Sequence, residues 1–298
     1  MSILAIDIGG TFIKYANMSL DMDIIAKGKV KTPQTGREAL IDAIENLYQA
    51  TDGVEGIAVS MPGIIDMEQG HCIMGGALRY NDGFPVQNSI QERCPVPVSI
   101  ENDAKCAAMA EAVSGSLQDV QDGFVLLFGT MIGGGYIKNR QLQRGIHFSA
   151  GEVSYMVTDR DGVPSFEGVW GNRCCTPSLY RMYAQKKGIA YEEVRGEDVF
   201  AEIAKGERLA VECLNRHTRE IAVQIFNLQT VLDVERFAIG GGISAQPAFT
   251  EYIQKNLQKL YDICPYYVPQ AEIVTCKYQN DANLYGALHC YLAKYHTV

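Results

Sequence analysis

Asp7, Gly9, Gly10, Thr11 and Lys14 stand close together in the opening segment "AIDIGGTFIK". A carboxylate ends an apolar run, two glycines bare the backbone amides, and a hydroxyl and an ammonium follow. Such a set suits a phosphate accompanied by Mg²⁺. The same stretch also reads as a plain hairpin turn with Asp7 as a satisfied strand-end residue. Three more glycine-centred turns follow apolar runs: "MPG" (61–63), "FGTMIGGG" (128–135) and "AIGGG" (238–242). One such turn means little; four suggest a polyanion approached by backbone from several sides, and a nucleoside triphosphate fits. The chain has no G-x-x-x-x-G-K-[ST], so it is not a P-loop protein. Gly240–Gly242 lack the G-x-G-x-x-G spacing, which disfavours a dinucleotide fold.

Two acidic positions could act on an acceptor. Asn102 and Asp103 in "ENDAKCAAMAEA" lie between a strand and an Ala-rich helix. One reading makes either residue a helix N-cap; the other makes Asp103 a base beside an amide that orients a substrate hydroxyl. Glu152 in "SAGEVSYM" sits in a loop-rich stretch, where a surface or capping role is the ordinary expectation. The five histidines (71, 147, 217, 289, 296) are dispersed, with no H-E-x-x-H and no ligand-like spacing to cysteines. His147 alone shares a glycine-flanked loop with Glu152. Trp170, the single tryptophan, reads as a packing anchor before a sugar-stacking surface.

The elements that must position these residues follow from periodicity. Strands are expected at 3–8, 12–19 and across "DIIAKGKVKT", then a helix in "REALIDAIENLYQA" with Leu40, Ile41, Ile44 and Leu47 on one face. "GIAVSMPGIID" reads as a buried strand ending in a turn, and "VPVSIEND" as a strand feeding the Ala-rich helix, which ends near Gly115. A similar order restarts with "GFVLLFGT", followed by a loop-rich insert (145–175), helices through 176–232, and strands in "RFAIGGGIS" and "AEIVTCKY". The strand–glycine–strand openings of the two halves look like two copies of one idea. The domains expected are 1–115 and 116–282, with a closing helix at about 283–298 able to pack back on the first.

The 298 residues suffice for about two domains. Hydrophobic content of 47% and a net charge of −9 describe a globular chain with no basic footprint for nucleic acid or anionic membrane. No stretch reaches the ~18 apolar residues of a membrane span, and the N-terminus lacks a basic n-region. Nine cysteines without framework spacing read as free thiols of a cytoplasmic protein; Cys106, Cys213 and Cys290 fall in helical apolar patterns.

Taken in order, "AIDIGGTFIK", "VSMPGIID", "VSIENDAKCAAMAEA", "FGTMIGGGYI", "AGEVSYM", "AIGGGIS" and "NDANLYGAL" resemble the ROK (repressor, open reading frame, kinase) family, from residue 3 to about 290. The resemblance implies two ribonuclease-H-like α/β domains of the actin and hexokinase superfamily, with ATP and sugar in an interdomain cleft. It implies that Asp7 helps organise Mg²⁺, with Gly9, Gly10, Thr11 and Lys14 near the β/γ-phosphates. Gly129, Thr130, Gly133 and Gly134 would form a second phosphate loop, and Gly240, Gly241 and Gly242 would lie near adenosine. Gly63, Asn102 and Glu152 would hold the sugar, and Asp103 would be the base for its 6-hydroxyl. A homodimer is expected on the same ground.

Departures from the family pattern are informative. Tyr155 stands where many members carry a zinc-binding histidine, and "SFEGVWGNRCCTPS" replaces their cysteine-rich segment. Cys174 falls where the family has a second sugar-binding glutamate. A structural zinc is therefore not expected, and the zinc-free branch, with β-glucoside kinase-like and N-acetylmannosamine kinase-like members, is the nearest resemblance. The implied activity is ATP-dependent phosphorylation of the 6-hydroxyl of a hexose-type sugar, a β-glucoside or a 2-acetamido sugar. A glucokinase and a sugar-responsive transcriptional regulator are the alternatives. The regulator needs a DNA-binding segment before the "DIGGT" strand, where only six residues precede Asp7.

Overall fold

The computed structural model describes residues 2–158 and 165–296; part of the insert expected at 145–175 lies outside the described residues. The chain divides into two compact units. The first comprises Met1–Gly115, Leu142–Ala150 and Asn280–Val298, the second Ser116–Gln141 and Gly151–Gln279. The segment Leu142–Ala150, read from sequence as part of the second half, thus counts with the first. Arg144 on this segment reaches a buried carboxylate there, a long-range contact that no local pattern announces.

In the first unit the chain runs β1 (Ser2–Ile8), β2 (Phe12–Ser19), β3 (Ile24–Lys31), α1 (Arg37–Gln49), β4 (Val54–Met61), β5 (Ile64–Asp66), β6 (His71–Met74), α2 (Val86–Arg93), β7 (Val98–Asn102) and α3 (Asp103–Ser114). The main sheet has the order β3-β2-β1-β4-β7, and β5 pairs separately with β6. β1 is antiparallel to β2 and parallel to β4, which is parallel to β7. Every residue of β1 is buried, as its apolar run requires of a central strand covered on both faces. One face takes the aliphatic stripe Leu40, Ile41, Ile44 and Leu47 of α1.

The other face carries Ile3, Ala5, Ala16, Met18 and Ala58, packed with Cys106 of α3 and with Leu284, Ala287, Leu288 and Tyr291 of the last helix. Small residues let these elements approach closely. A Cβ on Gly286 would stand 1.8 Å from the backbone oxygen of Cys106.

The second unit repeats the plan with β8 (Gly123–Phe128), β9 (Ile132–Lys138), β10 (Gln141–Gln143), α4 (Trp170–Arg173), α5 (Thr176–Lys187), α6 (Gly196–Ala204), α7 (Arg208–Leu232), β11 (Arg236–Gly240), α8 (Pro247–Ile263) and β12 (Glu272–Thr275). The closing helix α9 (Ala282–Tyr295) belongs to the first unit. The second sheet has the order β10-β9-β8-β11-β12, β10 being a three-residue edge strand where the chain passes to the first unit. Its core is aromatic: Phe124, Phe128, Phe237, Phe249 and Trp170 are all buried. The ends of the long helix α7 are set locally. Glu207 caps its start, accepting from the amides of Leu209 and Ala210 at 3.0 and 2.7 Å. Asp233, at φ 49°, closes it in the left-handed region.

Candidate active site

In both units the glycine turns and polar residues collect at the carboxyl ends of parallel strands, where open α/β sheets bind their ligands. In the first unit these ends are Asp7 on β1, Ser60 and Met61 on β4, and Asn102 on β7, in adjacent register.

Asp7 is 5% exposed although it carries a charge. Ser60 Oγ donates to its Oδ1 at 3.2 Å, and Asn283 Nδ2, from α9, donates to the same oxygen at 2.9 Å. Lys14, opposite Asp7 on β2, brings Nζ to 3.5 Å from Oδ2. A buried carboxylate must be paired and hydrogen-bonded, and this one is both. Sequence reading singled out Asp7 and Lys14 but not Ser60 or Asn283. Both stood inside quoted motifs, yet nothing local tied them to the aspartate.

The turn after β1 is knit by backbone. Gly9 N donates to Phe12 O at 3.0 Å, Thr32 Oγ1 to Gly9 O at 2.6 Å, and Gln34 Nε2 to Gly10 O at 2.9 Å. Gly10 and Thr11 are exposed at its tip.

The strand-to-helix corner at β7 resolves the capping question. Asn102 is the N-cap of α3, its Oδ1 accepting from Lys105 N at 3.1 Å. Asp103 is the first helical residue, and its Oδ1 accepts from Ala104 N at 2.8 Å and from Asn102 Nδ2 at 3.1 Å. Asp103 is thus held in orientation without being needed as the cap. Asn102 Nδ2 also donates to Gly63 O at 2.8 Å, so the amide ties the "MPG" turn to this corner. Gly63 sits at φ 108°, and a Cβ there would meet Met74 O at 1.9 Å. Only glycine fits.

In the second unit, Gly129 and Thr130 form the exposed tip between β8 and β9, with Gly129 N donating to Met131 O at 2.9 Å. Thr176, opening α5, braces the base of this turn: its amide donates to Gly129 O at 3.0 Å and its hydroxyl to Phe128 O at 3.1 Å. Gly133 is half-buried. Gly134 is buried, and a Cβ there would come within 2.4 Å of Gly151 O. The three glycines after β11 differ from one another. Gly240 is crowded by Leu127 and Cys276; Gly241, at φ 87°, would clash with Phe128 O at 2.2 Å. Gly242 alone opens onto free space.

Glu152, half-buried, begins the short turn Val153–Tyr155, and Tyr155 is 48% exposed. Cys174 and Trp170 point inward. Trp170 is fully buried with its ring edge-on to Phe128, centroids 6.4 Å apart. Cys174 is 1% exposed; burial, chiefly, and the nearby Glu220 carboxylate push its thiol pKa up. Both are packing residues, and the sugar-stacking option for Trp170 falls away. His147 is exposed and lies on the segment that counts with the first unit, whereas Glu152 belongs to the second.

All nine cysteines are free thiols, eight of them buried. Among the described residues no group of three or more His, Cys, Asp or Glu side chains is gathered as for a metal, and no helix is long and apolar enough to cross a membrane.

Two mixed sheets of one topology, each ending in glycine turns, define an α/β protein of the actin- and hexokinase-like fold. The chain belongs to the ROK family, whose model matches residues 3–294. It is 34% identical over 294 residues to a β-glucoside kinase of Listeria monocytogenes, covering 98% of each chain. It is 32% identical over 290 residues to a β-glucoside kinase of Klebsiella pneumoniae, covering 97% of this chain and 95% of the other. A solved Listeria monocytogenes structure, provisionally described as an N-acetylmannosamine kinase, superposes with a TM-score of 0.90 at 31% identity, over 99% of both chains.

Proposed function

We propose that this protein transfers the γ-phosphoryl group of ATP to the 6-hydroxyl of a β-glucoside. The coarser statement, an ATP-dependent carbohydrate kinase, follows from the family and from relatives named as sugar kinases over nearly the whole chain. The observation that carries the mechanism is the corner at β7: Asp103 is oriented by two donors on Oδ1 while Asn102 caps the helix.

In this reading Asp103 accepts the proton of the acceptor hydroxyl as the phosphoryl group arrives, and Asn102 and Gly63 frame the sugar beside it. Glu152 is assigned a further sugar contact. Gly9, Gly10, Thr11 and Lys14 of the first unit, and Gly129, Thr130, Gly133 and Gly134 of the second, are assigned to the phosphates. The open edge at Gly242, with Gly240 and Gly241 shaping the turn, is assigned to adenosine. The Asp7 carboxylate has neutral amide and hydroxyl donors on Oδ1 and the Lys14 ammonium 3.5 Å from Oδ2, and it is assigned to a hard cation that keeps most of its ligands as water and phosphate. Mg²⁺ bound there with the nucleotide would neutralise phosphate charge.

The acceptor class rests on the relatives' names and on Tyr155, an exposed phenol where many family members carry a histidine. The test follows ADP release with ATP and Mg²⁺ over an aryl β-glucoside, cellobiose, glucose, N-acetylglucosamine and N-acetylmannosamine. The highest kcat/KM is expected on the β-glucosides. A lead for glucose overturns the acceptor class, and a lead for a 2-acetamido sugar replaces it with the class suggested by the solved Listeria relative. Two further parts of the reading are a chain without structural zinc, expected to hold far less than one zinc per protein by elemental analysis, and a homodimer, checked by light scattering.

A further inference from the structure

Glu101 is the only charged residue of β7 and is 1% exposed. Its two oxygens face opposite duties. Oε1 accepts from the backbone amide of Asn102 at 2.8 Å; Oε2 accepts from Arg144 Nε at 2.7 Å. Arg144 lies on Leu142–Ala150, the segment that counts with the first unit. The loop it begins is closed on itself, with Phe148 N donating to Gly145 O at 3.2 Å and Ala150 N to Arg144 O at 3.0 Å. Burial is the largest single influence and works against the Arg144 charge, but the Glu101 carboxylate together with the Cys290 and Cys106 thiols more than offsets it, and the guanidinium pKa is raised.

A buried ion pair of this kind is often no more stabilising than an apolar pair of the same volume. Its place is the notable feature. The carboxylate is bonded to the amide of the residue that caps α3 and orients Asp103.

We propose that Arg144 is a positioning residue of the phosphoryl-transfer site, acting through Glu101 on the Asn102–Asp103 corner. This inference rests on the reading of Asp103 as the base. The guanidinium fixes the rotamer of Glu101; Glu101 fixes the amide of Asn102; Asn102 Nδ2 fixes Asp103 Oδ1. The pair also keeps the surroundings of Asp103 electrically balanced, because one charge cancels the other. Titratable groups near the pair include the thiols of Cys106 on α3 and Cys290 on α9, with the hydroxyl of Ser60 on β4 bonded to Cys106, and α3 also carries the buried Lys105. Burial holds the Cys106 thiol pKa well above its ordinary value, so that group stays neutral beside the Glu101–Arg144 pair.

The experiment compares the pH dependence of kcat/KM in Arg144→Gln, Arg144→Met and the doubly neutral Glu101→Gln/Arg144→Met. In the single variants Glu101 is left as an uncompensated negative charge near Asp103. The acidic limb of the profile should move up by about half a pH unit or more, and kcat should fall at least several-fold. The double variant removes both charges while its Gln carbonyl can still accept from Asn102 N, so the limb should return to its wild-type position. Arg144→Gln keeps a hydrogen-bond donor and serves where Arg144→Met does not fold. A folded single variant with the wild-type limb and kcat overturns the inference, as does a double variant whose limb stays shifted. Asp103→Asn, measured alongside, separates the two claims. If it stays active, the base assignment fails; if it is inactive while Arg144→Gln behaves as wild type, only the inference about Arg144 fails.

Discussion

The two sheets are built on one plan and furnished differently. In each, a central strand turns back through an antiparallel hairpin on one side and pairs on the other with a parallel strand that is itself followed by a second. Both hairpin turns are closed by a glycine amide, Gly9 N to Phe12 O at 3.0 Å and, one residue tighter, Gly129 N to Met131 O at 2.9 Å. The cross-strand pairs below them are unlike. Asp7 faces Lys14 in the first unit, whereas Leu127 faces Gly133 in the second. The parallel strands repeat the contrast: Ser60, Glu101 and Asn102 stand at the ends of β4 and β7, while β11 ends in glycine. The first unit therefore has the side chains for proton and charge chemistry, and the second presents backbone. A fold repeated within one chain leaves its strand ends free to diverge, because the core needs only the inward alternation.

The sharpest way to break this contrast is Asp103→Asn. Asn102 already caps α3, so the substitution removes a carboxylate without touching the cap. The expected loss is about 10²–10⁴ in kcat with Tm and ATP binding nearly unchanged. Retention of more than about a tenth of the wild-type rate would sink the assignment.

Next in size is a matched pair at the two hairpins. Asp7→Asn keeps the shape that Ser60 and Asn283 enclose but deletes the charge, and should lower kcat by about 10²-fold. Thr130→Ala, at the tip of the second turn, should cost only a few-fold, since backbone amides remain in place. Equal losses from the two would erase the distinction between charge and backbone.

A third pair concerns stability alone. Gly286→Ala drives a methyl into the Cys106 carbonyl and should cost about 1–3 kcal/mol, seen as a lower Tm. Gly242→Ala meets no atom within 4 Å and should leave Tm unchanged. Its effect, if any, should fall on the KM for ATP.

A pH effect is common to both units. His217 in α7 and His289 in α9 are buried, and burial depresses each pKa from 6.5 to about 4. Below pH 6.5 the unfolded chain binds protons that the folded chain refuses, so stability is complete above that pH and drains away as pH falls toward 4. The loss is about 3 kcal/mol for each histidine once the pH lies below both values. His217→Leu should flatten part of the decline in Tm between pH 6.5 and 4.5; an unchanged slope would show that His217 is not the source.

How much of this was legible in the sequence depends on the distance over which each feature is decided. The run "ILAIDI", the helix face Leu40-Ile41-Ile44-Leu47 and the start of α3 are local patterns, and they could be read directly. The capping choice within "END" could not, because Asn and Asp serve that position equally well. Packing was already the favoured reading of Trp170, and its burial agrees, whereas the inward turn of Cys174 was hidden. Recognition of the family came from motif order, not from any one motif.

Sequence alone thus determined many of the strands, helices and glycine turns, because these rest on hydrophobic period and on backbone freedom within a few residues; β6, α2 and α8 were not among them. Only the tertiary structure decided what surrounds the charges. Asn283 reaches Asp7 across 276 residues, Ser60 reaches it across 53, and Arg144 reaches Glu101 across 43. A buried carboxylate must find its partners wherever the fold brings them, and no spacing in the chain records that meeting.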